Sequence, residues 1–299
     1  MTMFRGAFSN ALAPGFRKVV FETYKEKPTE GNKIVNMNGS KRAYEEDFNL
    51  AGFGTLPEKV EGSKVTYQDI LQLNTKRYLW KTFAMGFRIT QEMLEDDLYG
   101  IFGNKLSRSL GRSARNNFEV VAASPYNSAF DTGVNGFVAG ESLCDTAHDL
   151  GRGGTFANRP AADVDFGLVG LQAAIEHYHN LQDEAGLPMM LTPKLLIHSV
   201  SSHWAVSQIL KSQFLPGGSQ NDINQVALEG IQPFLSHYLT DSDAWFLIAD
   251  QHDVNYFDRV APTFANTDDF DTGDAKYKLR RRNGAGFGDW RGVYGSQGA

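Results

Sequence analysis

Between residues 83 and 89 apolar side chains fall on every second position, Phe83, Met85, Phe87 and Ile89, the signature of a strand with one face turned inward. Residues 32 to 81 read as interrupted extended structure. Tyr44, Phe48 and Leu50 lie in a polar stretch, Gly52 and Gly54 make a turn, Glu58, Lys59, Glu61 and Lys64 form a charged tip, and a second run follows from Val65 to Leu73. This pattern predicts a long hairpin with a polar, protruding tip. A two-stranded ribbon is marginal in water, so it must lie on its own domain or on a neighbouring subunit.

At Thr90 the period changes. Thr90 is placed to cap a helix; Gln91, Glu92, Glu95, Asp96 and Asp97 follow it, and Lys105, Arg108, Arg112 and Arg115 come later, the charge order that a helix dipole favours. Leu94, Leu98, Ile101, Leu106, Leu110, Phe118 and Val121 recur mostly at three- or four-residue multiples. They predict a rod about 50 Å long, stopped by Pro125 and weakened at Gly100, Gly103 and Gly111. Met1 to Glu30, with Pro14 and Pro28 and no sustained period, predicts an extended arm.

Residues 128 to 160 are Gly-rich and loop-like. A helix capped by Asp163 or Asp165, with Leu168, Leu171, Ile175, Tyr178 and Leu181 inward, opens the next unit. A buried strand from Met190 to Ser199, a helix from Ser201 or Ser202 to Ser212, and strands near 231–239 and 243–249 complete a compact mixed unit over about 163–255. Extended pattern returns at 255–262, 276–282 and 290–294. The fold class is α+β.

The 299 residues are enough to bury roughly three quarters of the unfolded surface. A net charge of −6 and 41% apolar residues exclude global disorder and a basic, nucleic-acid-wrapping protein. No apolar run approaches the roughly 20 residues needed to cross a bilayer, so no membrane partner is expected. A single cysteine, Cys144, rules out an internal disulfide and a Cys-rich zinc site, and fits a reducing cytoplasm.

Chemistry is sparse. Gly284, Gly286 and Gly288 do not follow dinucleotide spacing. Counting from Asp269, the twelfth position of a calcium loop is Arg280 and not glutamate. No cofactor, metal or catalytic set is expected. Cys144 and His148 offer a thiolate–imidazole pair for a cysteine hydrolase, with no third residue to orient them. Asp268, Asp269, Asp271 and Asp274 oppose Lys276, Lys278, Arg280, Arg281 and Arg282, either within one hairpin or across a subunit boundary. Exposed pairs of this kind are worth about 0–1 kcal/mol each, and repetition in an assembly makes them set register.

Arm, long hairpin, long helix, compact unit and final strands follow the order of parts in the Hong Kong 97-like major capsid proteins of tailed phages. Four stretches carry a local resemblance. Phe87-Arg-Ile-Thr-Gln-Glu-Met-Leu-Glu-Asp-Asp-Leu-Tyr-Gly100 resembles the approach to the spine helix of Mu-like head subunits. Leu143-Cys-Asp-Thr-Ala-His148, with Gly154 and Asn158 beyond it, is similar to the family's Leu-Phe-Ser-x-x-His segment, although Cys144 and Asp145 depart from it. Tyr238-Leu-Thr-Asp-Ser-Asp-Ala-Trp-Phe-Leu247 looks like a strand of the family, and Trp290-Arg-Gly-Val-Tyr294 like its closing tryptophan element.

The resemblance implies an N-terminal arm (1–31), an extended loop (32–85), a peripheral domain (86–160 and 255–299) and an axial domain (161–254). It implies pentamers and hexamers closing into an icosahedral head assembled in the host cytoplasm, with double-stranded DNA held by weak contacts to a few basic groups on the arm or spine. A separate scaffolding protein, a portal and decoration proteins are the further partners. Glu58, Lys59, Glu61, Lys64, Asp268, Asp269, Asp271, Asp274, Arg280, Arg281, Arg282 and Trp290 are the expected assembly contacts. Lys59 or Lys64 with Asn266 or Asn283 would serve if subunits were joined by isopeptide bonds. A nanocompartment shell enclosing enzymes is the alternative within the same fold.

Overall fold

The computed structural model describes residues 9–90, 92, 93, 96, 101–132, 141–150, 153–214, 222–269 and 272–299. Helix α1 (Ser9–Lys25) and the one-turn α2 (Gly31–Ile34) lead into β1 (Asn36–Gly39). Strands β2 (Glu45–Ala51), β3 (Leu71–Tyr78) and β4 (Lys81–Ile89) precede the long α3 (Ile101–Asn127) and the two-residue β5 (His148–Asp149) and β6 (Thr155–Phe156). Then come α4 (Leu168–Asn180), β7 (Pro193–His198), α5 (His203–Lys211), β8 (Gln232–Leu235), β9 (Trp245–Ala249), β10 (Val254–Asp268), β11 (Ala275–Phe287) and β12 (Val293–Ser296).

Two four-stranded sheets organise the chain, ordered β1-β10-β11-β4 and β12-β9-β7-β8. In the first, strict alternation along β11 buries Ala275, Tyr277, Leu279, Arg281 and Asn283 on one face. Helices α1 and α3 cover that face. The second sheet is sandwiched into the main core, where all five residues of β9 are buried and Leu171, Ile175 and Tyr178 of α4 pack against it.

Within the stretch expected to be an extended arm, residues 9–25 are helical. Pro14 is accommodated early in the helix, and Ala13, Phe16 and Val20 turn one apolar stripe toward α3 and the sheet. The glycines of α3 explain how the two helices meet. A β-carbon at Gly103 would lie 2.2 Å from the Phe16 ring, and one at Gly111 2.5 Å from the Val20 carbonyl oxygen. These glycines permit close contact where they were expected to weaken the rod. Helix α3 also runs two residues past Pro125.

Thr90 accepts a hydrogen bond from the Met93 N–H at 3.3 Å, as a cap should. Gln91, Leu94, Glu95 and residues 97–100 lie outside the described residues. Neither Asp163 nor Asp165 caps α4, whose N-cap is Gly167: Asp163 pairs with Arg159, and Asp165 accepts from the Ala299 N–H. Ser202 occupies the N-cap of α5 without a side-chain bond, and the Ser201 hydroxyl donates instead to the Ser242 carbonyl.

Three segments cross the domain boundaries drawn from sequence. β1 joins the first sheet, parallel to β10; Ile34 enters the main core; and β12 pairs with β9, so the chain end completes the sheet of the compact unit.

Candidate assembly surfaces

β2 and β3 pair antiparallel from Glu45↔Tyr78 to Ala51↔Leu71, forming the expected hairpin. Its base is fastened to the first sheet. Tyr78 and Trp80 pack on Phe257 with ring centroids 4.8 and 5.2 Å apart, and the indole N–H of Trp80 donates to the Arg42 carbonyl at 3.1 Å. Lys76, on the same face of β3 as Tyr78, is buried; its ammonium donates to the Gly288 carbonyl at 2.5 Å and lies 4.8 Å from the Phe287 ring centroid and 3.8 Å from Glu141. Burial holds this ammonium below the ordinary lysine range, against the opposing charges of Glu141, Asp289 and Asp253. Sequence reasoning passed over Lys76; its alternation with Tyr78 along the strand was the available signal.

Beyond Ala51 the hairpin leaves the body. Leu56 and Tyr67 are each 90% exposed, and Phe53, Val60, Val65 and Ile70 are all more than half exposed. Glu58, Lys59, Glu61 and Lys64 are exposed among them. An apolar patch of this kind, carried on a ribbon fixed only at its base, marks a contact surface.

The second charged group is split by the sheet. Lys276 pairs with Asp269 at 2.5 Å within the β10–β11 hairpin, and Asp274, largely buried, takes Arg88 of β4 at 3.4 Å. Asp268 and Arg280 are exposed and Arg282 is half-buried, whereas Asp271 lies outside the described residues. Arg281 is not at a surface. It points to the helix side, 3.3 Å from Asp258 and near the Phe118 and Tyr256 rings, so its charge is used inside the chain. Trp290, also expected at a subunit contact, is 3% exposed and stacks on His148 with centroids 4.2 Å apart. Asn283 is fully buried and donates to the Tyr256 hydroxyl at 2.6 Å, which removes it as a partner for an external lysine.

The Cys144–His148 region is a structural knot around Asn158. The Asn158 amide donates to the carbonyls of Leu143 and Val293, each at 2.8 Å, and its oxygen accepts from the Asp145 N–H at 2.8 Å and faces His148 Nε2 at 2.9 Å. Cys144 is fully buried, and burial drives its thiol well above the ordinary range. Burial also lowers His148 to about 4. A protonated thiol out of contact with solvent, beside an imidazole committed to asparagine, is not an activated nucleophile.

A family model described as phage capsid protein matches residues 74–296. No curated protein matches the chain. Among solved structures, the Bacteriophage JBD30 capsid is similar at a TM-score of 0.58 and 14% identity, over 80% of this chain and 96% of that one. The virus-like particle from Pyrococcus furiosus is similar at a TM-score of 0.57 and 9% identity, over 94% and 97%. The capsid of an empty GTA particle is similar at 0.56 and 13%, over 89% and 88%. The α+β, Hong Kong 97-like fold expected from the order of parts is the fold observed.

Proposed function

Because the chain belongs to the phage capsid protein family, we propose that it is the major subunit of an icosahedral head, built from pentamers and hexamers around double-stranded DNA. The observation that carries this reading is the hairpin: apolar side chains up to 90% exposed, on a ribbon tied down only at its base, need a second surface to cover them. That surface is a neighbouring copy. Individually modest contacts suffice, because ring closure and repetition add them up.

In domain terms, α1 belongs to the arm, and 45–78 form the extended loop. The peripheral domain is α3 with the first sheet, and the axial domain is the second sheet with α4 and α5, closed by β12. Glu58, Lys59, Glu61, Lys64, Asp268, Asp269, Arg280 and Arg282 stay as candidate intersubunit contacts, exposed or half-buried as such contacts require. The stretch at 87–100 supports placement in the Mu-like group. The virion is the site of action, after assembly in the host cytoplasm with scaffolding, portal and decoration proteins as partners.

Electron microscopy of purified protein, with the contents identified, tests this. Closed shells holding DNA are expected. A nanocompartment shell enclosing protein is the second reading within the same fold. Closed shells filled with protein and free of nucleic acid would decide for it. A compact monomer at high concentration would defeat both.

A further inference from the structure

The inner face of the extended loop turns from aromatic to ionic just where the loop starts to leave the body. At the root, Tyr78 and Trp80 pack their rings on Phe257. Two residues outward along β3 stands Lys76, 2% exposed, with Asp47 of β2 directly opposite in the hairpin. Both reach one backbone position near the chain end. The Lys76 ammonium donates to the Gly288 carbonyl at 2.5 Å, and a β-carbon on Gly288 would lie 2.9 Å from Asp47 Oδ2 and 1.6 Å from Asp253 Oδ2. A side chain at 288 would collide with both carboxylates, so glycine leaves the socket open. Its own N–H is held by the Asp253 carbonyl at 2.8 Å.

One layer further out the hairpin parts from the body. Asn49 and Leu73 face Glu141, Glu184 and Arg291 across a cleft of about 40 Å³. Lys76 thus stands between the packed root and the cleft. Ring packing is adhesive but weakly directional. Burying an ammonium is costly even with Glu141 at 3.8 Å, and an apolar side chain of similar volume would hold the strand as well. What the ammonium adds is direction, because its hydrogen bond is made to one carbonyl at one angle.

We infer that Lys76 is a positioning residue for assembly: seated on the Gly288 carbonyl, it fixes the angle at which the extended loop leaves the subunit, and so where the loop meets a neighbouring copy. The inference rests on the shell reading above. From Lys76 to Val60 is at most about 50 Å of extended chain, so a tilt of about 10° at the root carries the tip by up to about 9 Å. Neighbouring strands are only about 5 Å apart, and such a shift would misplace every contact at the tip.

The test measures loop direction and assembly separately. In a Q72C/K278C background, spin labels on the exposed outer part of β3 and on β11 report the distance between ribbon and sheet, while the buried Cys144 stays unlabelled. The dilute, unassembled chain should show one narrow distance. In K76M the width of that distribution should at least double, and the yield of closed particles from equal folded protein should fall at least threefold by electron microscopy. K76M/E141Q, which removes the facing carboxylate along with the ammonium, should behave alike and serves where K76M does not fold. Gly295→Ala, a core change away from the loop, should leave the width as it was. Distributions as narrow in both Lys76 variants as in the unaltered chain overturn the inference and leave the shell reading standing. A broadened loop with undiminished particle yield overturns the role in assembly. An unaltered chain that never forms particles defeats the shell reading, and the assembly role with it. If neither Lys76 variant folds, the residue holds the fold and not the loop, and the inference is overturned.

Discussion

Replacing Asn158 with Ala removes the side chain that joins the 143–148 segment to the chain end. Three of its bonds, to the Leu143 carbonyl, the Val293 carbonyl and the Asp145 N–H, are 2.8 Å long. Asn158 itself is fully buried, so water does not reach these groups without opening the loop. Stranding a buried polar group costs about 1–3 kcal/mol, and partial relaxation brings three of them to about 3–5 kcal/mol. A domain stability of about 5–15 kcal/mol would lose a large fraction of itself. Urea titration followed by tryptophan fluorescence measures this, since Trp290 stacks on His148 at the centre of the knot. Asn158→Asp separates the mechanism from simple loss of volume. It keeps the acceptor for Asp145 but turns a second oxygen on the two carbonyls, so at neutral pH its loss should equal or exceed that of Asn158→Ala. A loss below about 1 kcal/mol in both variants would refute the reasoning.

Gly295→Ala should destabilise by about 1–3 kcal/mol in the same titration, because the new methyl would lie 2.6 Å from the Phe246 ring and 2.8 Å from Cys144 Sγ in a packed core. Acidification should cost stability between about pH 6.5 and pH 4. His148 and His177, both lowered by burial to about 4, stay neutral in the folded chain while the unfolded chain takes up protons, so stability rises with pH across this window. Because the raised carboxyls Glu119, Glu141 and Asp253 act in the opposite sense, the check is a comparison: between pH 7 and pH 4 the urea midpoint of the unaltered chain should fall relative to that of H148Q/H177Q, and an equal pH dependence of the two contradicts the assignment. Deleting residues 58–64, all exposed, should leave the monomer's midpoint nearly unchanged and abolish or slow assembly, as read by light scattering. A monomer that unfolds on this deletion would place the tip in its own core.

Periodic, locally encoded features were legible in the sequence: the strand at 83–89, the hairpin, the inward face of α4 and the apolar stripe of α3. Residues 9–25 of the arm were misread because Pro14 and Pro28 were weighed as breakers, while Ala13, Phe16 and Val20 were too few to outvote them without the partner helix. Gly103 and Gly111 misled for the same reason, since a glycine that admits another helix and one that breaks its own look alike in a sequence. Arg281 illustrates the limit for surfaces. It stands in a run of cations, and only the alternation of β11, fixed by pairing with β4 and β10, sends it inward while Arg280 and Arg282 go out. Lys76 was hidden, and Asn158 was picked out without its role, because those roles depend on carbonyls more than 130 residues away, at Gly288 and Val293. No local pattern encodes such contacts.

On the proposed reading, the exposed ribbon is covered by another copy of the same chain. Cryo-electron microscopy of the purified, concentrated protein measures this most directly. Closed icosahedral particles are expected, with residues 52–70 of each subunit lying on a neighbour. Particles in which that segment touches only solvent or its own subunit, or protein that stays monomeric, would contradict it.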